Sequence, residues 1–89
     1  MKNDKINILN ALNLRKTEFP AAHFKYIKID KLTPTLVKNL DNWIYNNLNG
    51  RYYIGPCILL QENSIIYGIQ IGFELEKEIS FFKIACPHM

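Results

Sequence analysis

The stretch from Arg51 to Phe73, RYYIGPCILLQENSIIYGIQIGF, constrains the fold of this chain more than any other. It reads as two apolar strands joined at Gln61-Glu62-Asn63-Ser64. In its second half Ile65, Tyr67, Ile69, Ile71 and Phe73 alternate with Ile66, Gly68, Gln70 and Gly72, the two-residue period of a strand with one strongly apolar face. In the first half both alternating sets are largely apolar: Tyr52, Ile54, Ile58 and Leu60 on one side, Tyr53, Cys57 and Leu59 on the other. Gly55-Pro56 interrupts this strand, and a proline within a strand belongs at a bulge or on a sheet edge. Helices must cover one face of such a hairpin, and its second apolar set needs a further cover or a partner.

The flanking segments supply the cover. Phe24 to Ile29, FKYIKI, alternates apolar groups with lysines and reads as a strand; Lys25 and Lys28 fall on opposite faces, which suits a sheet edge. Thr33 followed by Pro34 is a helix N-cap with proline at the first helical position, and Leu36, Val37, Leu40, Trp43, Ile44 and Leu48 recur at helical spacing until Asn49-Gly50. Trp43 lies mid-stripe and is expected to anchor the core against the hairpin. After Phe73, Glu74, Glu76 and Glu78 precede Leu75, Ile79, Phe82 and Cys86, a helical stripe ending before Pro87 with acid in its first turn. Phe81 and Ile84 fall off that stripe. ISFFKIAC would also make a strand, so helix and strand both stay open over residues 78–86. Those three carboxylates point different ways around a helix start and suit solvation. Residues 4–16 read as a short helix on Ile6, Leu9 and Leu12, weakened by four asparagines in the first thirteen residues. Thr17 to His23, with Pro20, reads as a connector.

The resulting order of helix, strand, helix, hairpin and helix predicts a single small α+β domain over 1–89. It has the ferredoxin-like order without a last strand, with the helices on one sheet face. The chain's 89 residues allow one modest core and no second domain.

Asp41-Asn42-Trp43 on a helix, Gly50-Arg51-Tyr52-Tyr53, Gly72-Phe73-Glu74 and then Phe81-Phe82-Lys83 resemble short proteins of unknown function encoded by tailed phages. The resemblance covers about residues 41–84. It implies a phage origin and a small α+β fold, and it carries over no active site. Thirteen Ile, ten Asn and nine Lys against two Arg agree with an AT-rich source.

Composition narrows the function classes. Apolar residues make up 48% of the chain, which favours a folded domain. The net charge of +3 is mild. Residues 1–31 carry seven Lys or Arg against three acids, while Glu62, Glu74, Glu76 and Glu78 against Lys77 make 61–78 acidic. Such a dipolar surface favours protein contacts over nucleic acid. The N-terminal MKNDKINILNAL has no unbroken apolar run of the signal-peptide kind, and no segment approaches the roughly 20 apolar residues of a membrane span. A cytoplasmic location, in the host cell for a phage protein, is expected.

No catalytic or metal-binding signature emerges. His23, Cys57, Cys86 and His88 lack the close pairs that organise a zinc site, and nothing in their spacing makes a Cys/His catalytic couple. The cysteines are expected to be free thiols. No cofactor is expected, and an enzymatic role is disfavoured without being excluded. The expected function is a protein-interaction or self-assembling module, with itself or a host or virion protein as partner. Its contact residues are expected on the sheet face away from the helices: Tyr53, Leu59, Gly68, Gln70 and Gly72, with Arg51 beside them. Gly68 and Gly72 would leave that face flat for a close approach. The alternative is single-stranded nucleic acid on the same open face, through Tyr26, Tyr52, Tyr53 and Tyr67 with Lys25, Lys28 and Arg51. A second alternative is a small enzyme with its site in a subunit interface.

Overall fold

A computed structural model describes residues 15–88. Within them the chain forms β1 (Lys25–Ile29), α1 (Pro34–Asn47), β2 (Tyr52–Gln61), β3 (Ser64–Phe73) and α2 (Glu76–Ala85). The strands make one sheet in the order β1-β3-β2, with β3 antiparallel to both neighbours. β1 and β2 therefore run parallel on either side of β3, and α1 joins them as the crossover of a split βαβ unit. This is the α+β, ferredoxin-like order expected from the sequence. The expected helix over 4–16 lies outside the described residues except for its last two, and those are not helical. Arg15 and Lys16 run beside the start of β2, where the Tyr52 N–H donates to the Arg15 carbonyl at 2.9 Å and the Thr17 N–H to the Tyr52 carbonyl at 2.8 Å.

Local chemistry sets the element ends. The Thr33 hydroxyl accepts from the Leu36 N–H at 3.1 Å, which satisfies one orphan donor of α1, and Pro34 supplies a residue with no N–H to satisfy. Glu62 and Asn63 both take positive φ, 47° and 68°, and close β2 onto β3 with a two-residue turn whose twist matches that of the strands. Pro56 keeps the ladder in register opposite Ile69, so it is accommodated on the sheet edge rather than by a bulge. Residues 76–85 are helical, which decides between the two readings of that segment, and Phe81 and Ile84 are exposed on it as their positions off the stripe require.

The core lies between the two helices and the sheet. Ile69, Ile71 and Phe73 of the central strand are fully buried, flanked in register by Ile29 and Ile27 of β1 and by Ile54 and Tyr52 of β2. Leu40, Ile44 and Leu48 close over them from α1, and Phe82 and Cys86 from α2. Trp43 departs from the expectation of burial against the hairpin. It is only partly buried and packs on α2, with its ring centroid 5.9 Å from Phe81 and 5.7 Å from Phe82. At its position it spans the seam between the helices, one layer above the sheet, and Phe82 beneath it reaches Phe73 at 5.3 Å.

A buried pair of charges fixes the α1–β2 turn. The Arg15 guanidinium donates from Nη2 to the Ile44 carbonyl and from Nη1 to the Tyr45 carbonyl, each at 2.8 Å, and from Nε to the Gly50 carbonyl at 3.0 Å. A cation thus sits on the C-terminal carbonyls of α1, where the helix dipole favours it. On the other side of the same turn the Glu78 carboxylate accepts from the Asn49 N–H at 2.9 Å and the Gly50 N–H at 3.3 Å. The three acids after Phe73 were expected to be solvated; only Glu76 is. Glu78 is buried because the turn needs an acceptor there, and Glu74 is held in an ion pair described below.

Candidate interaction surface

Residues directly opposite each other in an antiparallel ladder share a face, so the register assigns every strand side chain to one side of the sheet. The face away from the helices carries Tyr26 and Lys28 of β1, Ile66, Gly68, Gln70 and Gly72 of β3, and Tyr53, Gly55, Cys57 and Leu59 of β2. Five of the expected contact residues, Tyr53, Leu59, Gly68, Gln70 and Gly72, therefore share this open face. One cross-strand row reads Tyr26, Gly72, Tyr53.

The glycines do not leave that face bare. The ring of Tyr26 lies over Gly72 where a Cβ would stand, and its hydroxyl donates to the Ala21 carbonyl. Leu59 and the Ile29 carbonyl occupy the equivalent space over Gly68, and the Tyr53 ring covers Gly55. The chain's own side chains fill the room expected for a partner, and all three glycines are buried.

Arg51, the sixth expected contact residue, is engaged within the chain. Its Nε and Nη2 donate to the two Glu74 carboxylate oxygens at 3.0 and 2.6 Å, a bidentate pair, and His23 Nε2 lies 3.5 Å from the same carboxylate. The hydrogen bond from Arg51 holds the Glu74 carboxyl well below its ordinary 4.5, at about 2. A depressed carboxyl contributes stability that is fully present above the unfolded-state value and is lost as pH falls toward the folded-state one. Stability should therefore decline between about pH 4.5 and pH 2 through this group, by an amount reduced by the pair's solvent exposure. Urea titrations across that window should show a shallower decline for Glu74→Gln than for wild type. Equal slopes would mean that the pair does not couple to folding.

The hairpin outruns the rest of the fold. β1 ends at Ile29 opposite Ile69, so residues 57–68 continue as a two-stranded arm with no third strand beside it among the described residues. The molecule measures 48 × 26 × 23 Å. On the helix side of the sheet the arm carries two cross-strand pairs, Ile58 with Tyr67 and Leu60 with Ile65, and neither helix covers them. Their exposures are 60% for Ile58, 80% for Leu60, 63% for Ile65 and 63% for Tyr67. From Tyr52 to Phe73 the only charged residue is Glu62, at the tip. Family models, curated proteins and solved structures gave no match.

The chemistry weighed from sequence is dispersed by the fold. Among the described residues no three His, Cys, Asp or Glu side chains come together as a metal-binding group. Cys57 lies on the open face and Cys86 in the core under the helices, both as free thiols on opposite sides of the sheet. The aromatic set considered for nucleic acid is split as well. Tyr52 is buried with its hydroxyl donating to Asp41, and burial together with that bond pushes it far above its ordinary 10. Tyr67 lies on the helix side of the arm, and of these tyrosines only Tyr26 and Tyr53 share the open face, with Lys28 as its one strand cation among the described residues.

Ile58, Leu60, Ile65 and Tyr67 are the surface residues that reading the sequence missed, because alternation placed them on the core face. Their alternation is correct. The available signal was length: two strands of ten residues stand against a first strand half as long.

Proposed function

We propose that this chain is a non-enzymatic protein-interaction module whose contact element is the hairpin arm, of the kind phages encode as accessory, host-modulating or virion components. The observation that carries this reading is the apolar, uncharged arm face of Ile58, Leu60, Ile65 and Tyr67 held clear of the core. These four residues expose on the order of 500 Å², comparable to the largest apolar patch of a typical monomer and commonly functional when contiguous. An isolated two-stranded ribbon is marginal in water, so a partner laid against it supplies both binding energy and order. The open face supports the nucleic-acid alternative less well: it pairs two tyrosines with one lysine, whereas single-strand binders rely on a groove of several cations.

The test is a photo-crosslinking amino acid placed at Leu60 in the producing cell, with Lys38 on the exposed side of α1 as the control position. Covalent protein adducts at position 60 and not at 38 are expected. Nucleic-acid adducts, or no adduct above the control, would overturn the proposal.

A further inference from the structure

Building on the arm as the contact element, we infer that its occupant is a second copy of this chain, packed by the same helix-side arm face across a two-fold axis. Three features point to a copy of itself. First, the face is self-compatible: it holds two cross-strand pairs, Ile58 with Tyr67 and Leu60 with Ile65, and no charge that would meet its like across the axis. The one charge of the hairpin, Glu62, lies at the tip, so an antiparallel arrangement places the two acids at opposite ends. Second, the area fits. Two such faces expose on the order of 1,000 Å² together, the threshold region for an interface and the size of a weak, concentration-dependent dimer. Third, a twisted two-stranded ribbon presents a surface that packs on another ribbon at about 10 Å, the spacing of sheet on sheet, with β-branched and aromatic groups interleaving. The product is a small four-stranded sandwich built from two arms, with the globular parts at either end. The open face, filled by Tyr26, Tyr53 and Leu59, stays outside this contact.

Sedimentation equilibrium on the purified full chain over a wide concentration range tests the inference. The wild type is expected to move from the 10.4 kDa monomer to twice that mass with rising concentration. Leu60→Lys combined with Ile65→Lys, which sets four ammonium groups in the contact, should weaken association at least 100-fold. Leu59→Lys on the opposite side of the arm should change it by less than about threefold. Hydrogen exchange on the unmodified protein gives a readout that does not depend on how any variant folds: amides within 57–68 should gain protection with concentration, and those of 25–29 should not. A wild type that stays monomeric, or exchange that is independent of concentration, overturns the two-fold contact. If position 60 still cross-links a different protein in the cell, the interaction reading survives and only the occupant is wrong. Equal weakening by Leu59→Lys would also overturn it, by moving the contact to the other face.

Discussion

Phe82→Ala should lower the free energy of unfolding by about 3–5 kcal/mol, measured by urea denaturation at neutral pH. Phe82 is fully buried and ties three elements together, its own α2 to Trp43 of α1 and to Phe73 of β3. Truncation removes the whole ring from contact and leaves a cavity that neither helix can close without sliding on the sheet. Against the roughly 5–15 kcal/mol available to a domain, the variant should stand near the edge of unfolding. Trp43→Ala is the informative comparison. Although the indole is the larger ring, it is only partly buried and sits at the seam between α1 and α2, so its loss should cost about half as much. A Trp43 variant as unstable as the Phe82 variant would show that the indole, rather than Phe82, anchors the core.

Arg15→Met should be destabilising to a similar degree, about 3–5 kcal/mol, because it removes one member of a buried charged network and leaves the rest in place. The Ile44, Tyr45 and Gly50 carbonyls would lose a donor without gaining water, and Glu78 would remain buried on the far side of the same turn. Methionine keeps most of the side chain's volume, so the loss reports the guanidinium. Arg15→Lys should recover little, since a single ammonium cannot reach three carbonyls that lie around a planar fork. Lys16→Met is the matched control: Lys16 pairs with Asp41 at 2.7 Å, but its side chain is 48% exposed, and the change should cost less than about 1 kcal/mol. Thermal or urea unfolding of the three variants separates the cases. An Arg15→Met protein within 1 kcal/mol of wild type would mean that the turn finds its hydrogen bonds elsewhere.

The contrast between those residues marks how far the sequence was legible. The start of α1 could be read letter by letter because capping is local: Thr33 and Pro34 do their work within three residues of themselves. The two hairpin strands and their turn were legible because alternation is also local, and α2 emerged from its stripe once the sheet had taken its share of apolar faces. Arg15 and Glu78 were not legible. Each appears as an ordinary surface charge, and they become partners of one turn only after α1, β2 and α2 have been brought together from widely separated segments. Gly72 shows a subtler limit. Its lack of a side chain correctly signalled a close approach, but whether the approaching group is foreign or the chain's own Tyr26 depends on the register of β1. The arm was missed for a related reason. Periodicity tells which way a side chain points, not whether anything lies above it, and neither α1 nor α2 reaches over Ile58, Leu60, Ile65 and Tyr67.

The positions of the arm face and the core are disjoint: Ile58, Leu60, Ile65 and Tyr67 are absent from the cluster that Leu40, Ile44, Phe73 and Phe82 form. Substitutions at exposed positions outside a packed cluster usually shift stability by about 0.5 kcal/mol or less, so single changes along the arm face cost the domain little. A lineage carrying this chain can therefore alter what the arm recognises one residue at a time, without an intermediate that fails to fold.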